Sequence, residues 1–153
     1  MEPQDSEPGV YTLILHLDRA QEIQVGSLGI VDFAAGYYSY TGSAQGSGGL
    51  KRVNRHLRVS QGLNRTRKWH IDYLLPSARF LGAFTTRTSQ DLECHIALII
   101  GSRLTPVKGF GCTDCCCTSH LHYSPDFDLM LEAAELAHQQ CQLKALFAPS
   151  RHR

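Results

Sequence analysis

Residues 36–58, GYYSYTGSAQGSGGLKRVNRHLR, cannot form one continuous element. Tyrosines and β-branched residues favour a strand up to Gly42, which Gly46, Gly48 and Gly49 would weaken if it continued. Beyond them, Leu50, Val53, Asn54 and Leu57 recur at helical spacing, with Arg52, Arg55 and Arg58 elsewhere around the helix. The stretch therefore predicts an aromatic strand, a glycine joint and a basic amphipathic helix. The joint is not a P-loop, because G-x-x-x-x-G-K-[ST] is absent. It predicts either a flexible surface turn or a set of backbone N–H groups at the helix start that receives an anion.

The same reading extends along the chain. GVYTLILHL (9–17) predicts a strand. EIQVGSLGIVDF predicts two short strands around a turn at Gly26 to Gly29. WHIDYLLP reads as a short helix stopped by Pro76, ARFLGAFTT as a strand, and DLECHIALII as a helix capped from the preceding Thr-Ser-Gln-Asp. Ser124-Pro125-Asp126 then opens a long helix to about Leu146, with Leu129, Ala133, Leu136, Leu143 and Phe147 on one side. These elements imply an α/β (α+β) domain with a small, mainly antiparallel central sheet flanked by helices. A disordered lead-in (1–8) is expected before the domain (9–123), and a C-terminal helix and tail (124–153) are expected to pack on or extend it.

The chain has 153 residues, enough for one core that buries roughly two thirds of the unfolded surface. No apolar run approaches the roughly 20 residues that span a bilayer, and MEPQDSEP lacks the basic and apolar regions of a secretory signal. Four of the six cysteines crowd into residues 112–117, a spacing that disfavours mutual disulfides and suits a reducing cytoplasm. The net charge is +1, but Phe33 to Ile71 contains no Asp or Glu. Lys51, Arg52, Arg55, Arg58, Arg65, Arg67 and Lys68 all fall in that window, a positive patch suited to a phosphate backbone.

GVY at 9–11, YTG at 40–42, the R-x-x-x-H pair Arg52 and His56, and a later lone Glu93 resemble the GIY-YIG nuclease superfamily. Valine and threonine replace isoleucine in the two tripeptides, both β-branched and compatible with strands. GSAxGxGGLxxRVxRHLR, WHIDYLL, ECxIA and GFGxxDCxCxSHL further resemble a compact subgroup long catalogued as a domain of unknown function. That likeness covers about residues 9–123, and Cys112 and Cys116 fall outside its motif.

The resemblance implies metal-dependent endonucleolytic cleavage of DNA, in repair or mobile-element processing, with RNA as an open alternative. Glu93 would hold one Mg²⁺ or Mn²⁺ ion and Arg52 would bind the scissile phosphate through its planar fork. Tyr11 or Tyr40 would activate water, and His56, one turn beyond Arg52, would contact the phosphate or move a proton. Lys51, Arg55, Arg58, Arg65, Arg67 and Lys68 would track the nucleic acid, while His70 and Asp72 orient the site. Separately, Cys115, Cys117 and His120 offer thiolates and an imidazole to a structural Zn²⁺, with a fourth ligand from Cys94, Cys112, His122 or His70. The competing readings are a nucleic-acid-binding module without turnover and a zinc- or thiol-stabilised interaction protein.

Overall fold

The computed structural model describes residues 6–112, 117–141 and 146–149. At its centre lies β1 (Gly9–Leu17), buried along its length except at half-buried His16. Alternate side chains of a strand leave by opposite faces, so such a strand needs cover on both sides. Tyr11, Leu13, Leu15 and Leu17 enter one hydrophobic cluster, whereas Val10 and Ile14 enter another.

β2 (Gln21–Gln24) and β3 (Ile30–Phe33) form a separate hairpin around a tight turn at Gly26–Leu28, as the glycine spacing predicts. β4 (Gly36–Ala44) continues two residues past Gly42 and pairs antiparallel with β1. After the joint, a 3-10 turn at Gly49–Lys51 leads into α1 (Arg52–Ser60). Gly48 and Gly49 have φ of 88° and 55°, left-handed values that favour glycine. Of the two readings of the joint, the anion site is closed off, because the chain itself takes up the N–H groups at this helix start. Leu50 N–H donates to the Glu7 carbonyl, while the N–H groups of Gly49 and Lys51 donate to the Gly46 and Gly48 carbonyls. Glu7 and Pro8 belong to the lead-in expected to be disordered, yet their carbonyls accept from the N–H groups of Leu50 and Thr88; residues 1–5 of that lead-in lie outside the described residues.

α1 buries Val53, His56 and Val59, while Asn54, expected on the apolar face, is exposed. α2 (Ile71–Leu74) passes into a 3-10 turn, Leu75–Ser77, that accommodates Pro76 instead of stopping before it. β5 (Arg79–Arg87) pairs with the other edge of β1. α3 (Glu93–Gly101) follows, with Leu92 at its N-cap and no side-chain cap, contrary to the capping expected from Thr-Ser-Gln-Asp. β6 (Thr105–Pro106) and β7 (Leu121–Ser124) extend the sheet beside β4.

α4 (Phe127–Gln140) starts two residues later than expected. Asp126 is its cap, accepting from the N–H groups of Asp128 and Leu129, and Ser124 in turn accepts from Asp126 N–H. The buried face is Met130, Ala133, Ala134, Ala137 and His138, while Leu129 is exposed. The helix ends at Gln140 instead of about Leu146. Leu143 lies outside the described residues, and Leu146–Pro149 forms β8 against β5. The result is an α+β domain with a six-stranded antiparallel sheet in the order β6-β7-β4-β1-β5-β8. α1 and α2 cover one face, and α3 and α4 cover the other.

A buried polar contact fixes α4 to the sheet. Thr12 and Thr41 are cross-strand partners whose hydroxyls lie 2.9 Å apart. His138 bridges from the helix, with Nε2 2.9 Å from Thr12 Oγ1 and Nδ1 2.7 Å from Thr86 Oγ1. Burial lowers the His138 pKa to about 4 and that of His122 to about 4, so both rings are neutral at pH 7. Because these folded values lie below the unfolded value of about 6.5, stability is complete above that pH. It should fall as pH drops toward 4, by roughly 3 kcal/mol for His138. Urea unfolding followed across this window should show the fall, with a shallower slope in His138→Gln.

Candidate active site

The β1–β4 register puts the two tyrosines of the tripeptide motifs on one face. Tyr11 is opposite Gly42 and Leu13 is opposite Tyr40, so the phenols are diagonal neighbours. Gly42 makes room for this arrangement, because a Cβ there would lie 2.5 Å from Tyr11 Cζ. Both side chains are largely buried, at 2% and 8% relative exposure. Burial raises the Tyr11 pKa well above its ordinary value, reinforced by Tyr40 and Glu93 and opposed by Arg52. Tyr40 is raised too, by burial first and then by the carboxylates of Glu93 and Asp72. Both phenols therefore keep their protons at rest.

α1 packs against this face and brings His56 behind Tyr11. The Tyr11 hydroxyl lies 2.8 Å from His56 Nε2, and the imidazole is fully buried. Burial and the positive charges of Arg55 and Arg52 lower the His56 pKa to about 3. Its Nδ1 has no hydrogen-bond partner among the described residues. His56 is thus a neutral partner of Tyr11, not a surface contact for phosphate.

Arg52 stands one turn earlier at the pocket edge, with Nη1 donating to the Ser43 carbonyl at 2.8 Å. Trp69 forms a platform shared by three cations: Arg52 Cζ, Arg55 Cζ and Lys68 Nζ lie 4.8, 4.3 and 4.9 Å from its ring centre. The sequence gives only a weak hint of this role, the single tryptophan directly after the basic run RTRK.

Arg55 and Asp72 form the anchor of the surrounding loop. Two parallel hydrogen bonds, 2.7 and 2.8 Å, join the guanidinium to the fully buried carboxylate. Asp72 also accepts from the backbone N–H groups of Lys68 and Trp69 at 2.7 and 3.0 Å. Burial alone would raise the Asp72 pKa, but these hydrogen bonds outweigh it and hold the pKa below its ordinary value. Arg55, expected on the nucleic acid, is thus committed to the fold. Lys51, Arg58, Arg65, Arg67 and Lys68 are exposed.

A hollow of about 350 Å³ is lined by Tyr11, Tyr40, Arg52, Trp69, Asp91, Glu93, Cys94 and His120, among others. Asp91 is a second carboxylate that the sequence reading missed, set just before α3. Another hollow, of about 620 Å³, includes Asp18, Leu57, Leu63 and Phe80 in its wall, away from the tyrosines. Glu93 begins α3, and its Oε2 lies 3.1 Å from His120 Nδ1. Cys94, Cys117 and His120 offer donor atoms within 4.8 Å of one another, a group able to hold a metal ion. Cys115, expected with them, lies outside the described residues. His70 instead accepts from Gly111 N–H at 2.9 Å and so steadies the loop beside Tyr40 and His120.

This chain belongs to a family known by its sequence model. It is the domain of unknown function DUF123, whose family model matches residues 10–143. No curated protein and no solved structure gives a significant match. No helix among the described residues is long and apolar enough to cross a membrane.

The Arg55–Asp72 geometry carries a direct consequence. Asp72→Ala should destabilise the protein by roughly 3 kcal/mol, because it strands a guanidinium and two backbone donors. Urea unfolding measures the loss. The emission of Trp69, whose platform the anchor positions, should also shift in the folded variant.

Proposed function

We propose that this protein is a divalent-metal-dependent endonuclease that hydrolyses DNA phosphodiester bonds in the manner of the GIY-YIG nucleases. One observation carries the reading: Tyr11, Tyr40, Arg52 and Glu93 meet in a single pocket, with His56 hydrogen-bonded behind Tyr11. These are the residues that the resemblance matches to the motif.

Each group has a role set by its chemistry. Arg52 presents a guanidinium, shaped to bind a phosphate through two oxygens and to stabilise charge that builds there. Tyr11 takes a proton from the attacking water and passes its own to His56 Nε2, so the phenol need not stay ionised in a buried site. The incoming phosphate adds negative charge nearby, which raises the proton affinity of the imidazole. Tyr40 packs beside Tyr11 and keeps its ring in place. The exposed cations Lys51, Arg58, Arg65, Arg67 and Lys68 supply the salt-sensitive attraction to the strand.

The residues at the pocket also fit a hydrated divalent cation. Glu93 and Asp91 line the same hollow, and Mg²⁺ is ordinarily held by one or two carboxylates while it keeps several waters. Glu93 Oε2 also lies 3.1 Å from His120 Nδ1. Bound in this hollow, Mg²⁺ or Mn²⁺ supplies charge to the scissile phosphate and to the departing oxygen.

Purified protein should cut or nick one or more members of a panel of plasmid, branched, flapped and damaged DNA, with RNA in parallel, when Mg²⁺ or Mn²⁺ is added. Arg52→Ala and Glu93→Ala should each lower single-turnover cleavage by at least about 100-fold. Cleavage undiminished in both variants would assign the activity to another site or another protein. Salt-sensitive binding with no cleavage under any metal would favour a binding module.

A further inference from the structure

We propose that Cys94, Cys117 and His120 form a zinc site next to the catalytic pocket, linked to Glu93 through the imidazole of His120. The three donor atoms come from two separate parts of the chain, the first turn of α3 and the segment before β7. Cys94 Sγ and His120 Nε2 are 3.7 Å apart. On a tetrahedral zinc with ordinary bond lengths, a sulfur and a nitrogen ligand stand about 3.6 Å apart. All three donors lie within 4.8 Å, so only a small contraction would bring them onto one ion.

The backbone holds the donors in place without a metal. His120 N–H donates to the Phe110 carbonyl at 2.9 Å, and the His120 carbonyl accepts from Thr41 N–H at 3.0 Å. His120 is thereby tied to β4, one residue from Tyr40. Cys94 is fixed by its place in α3, and Cys117 Sγ lies 4.0 Å from the Cys94 carbonyl.

Donor chemistry separates this site from the hard-cation site proposed at Glu93. Two thiolates and an imidazole select zinc over magnesium, which prefers oxygen. Three protein donors leave a fourth position for water or another ligand.

The two sites share one side chain. With Nε2 on the metal, His120 must carry its ring proton on Nδ1, which lies 3.1 Å from Glu93 Oε2 and would donate to it once the carboxylate turns into line. A metal-bound histidine whose other nitrogen meets a carboxylate is the arrangement that fixes both ring and carboxylate orientation. Zinc occupancy would therefore hold Glu93 in one conformation at the pocket wall. That consequence for cleavage rests on the nuclease reading; the metal site itself does not.

Cobalt(II) titration of the metal-free chain tests the site without reference to DNA. One equivalent should give thiolate-to-cobalt charge-transfer absorption that zinc displaces. Cys94→Ser, Cys117→Ser and His120→Ala should each weaken binding at least tenfold, while Arg52→Ala should leave it unchanged. Circular dichroism and Trp69 emission identify the variants that remain folded, and a metal competition assay on those gives the affinities. Glu93→Ala should keep the thiolate absorption but bind cobalt about tenfold more weakly. Absorption without thiolate character, or folded Cys94 and His120 variants that bind undiminished, would overturn the site. Undiminished affinity in Glu93→Ala would overturn the link to Glu93. A chain that binds cobalt as described but cuts no substrate would uphold the zinc site and refute the nuclease reading.

Discussion

The hydrogen bond between Tyr11 and His56 is the contact around which the pocket is organised. It joins the central strand to the basic helix inside the core, where an unpaired phenol would carry a desolvation penalty. Its geometry depends on Gly42, which leaves the space the Tyr11 ring occupies, and on the glycine joint that swings α1 onto this face of the sheet. Without that joint, Arg52 and His56 would not reach the two strands that carry the tyrosines.

Charge is arranged around this bond in two layers. The inner layer is paired and buried: Asp72 receives Arg55 and two backbone N–H groups, and Trp69 is stacked by the cations it helps to position. The outer layer is exposed and positive. Desolvation offsets much of the Coulomb attraction in such a pair, so removing one partner costs more than the intact pair adds. Arg55 is held by Asp72, so it is Arg52 at the pocket edge and the exposed outer cations that remain open to an anion.

Much of this arrangement is legible in the sequence, and the misses have physical causes. The strand at 9–17, the hairpin after it and the helix at Arg52 follow from residue type and spacing, because the burial that forms them is local in period, whereas the helix at Glu93 is read from a cap that the structure does not form. The helix face is misread at one place: Asn54 stands at a favourable spacing, whereas the buried polar residue is His56, whose partner lies 45 residues away. β8 is hidden because Phe147 also fits the helical period of α4, and pairing with β5 decides between them. β7 is assigned no element from the sequence, since His120 and His122 read only as candidate ligands. The candidate site is legible as a set of residue types in order. Which arginine stays at the pocket and which is locked to Asp72 depends on tertiary contact alone.

The central claim is that Tyr11, backed by His56, activates the water while Tyr40 supports it from the side. The measurement that bears on this most directly is the single-turnover cleavage rate of Tyr11→Phe beside Tyr40→Phe, each confirmed to be folded, on the best substrate under saturating metal. The account predicts a loss of about 10²-fold to 10⁴-fold for Tyr11→Phe and a much smaller loss for Tyr40→Phe. A larger loss in Tyr40→Phe, or full activity in Tyr11→Phe, would contradict it.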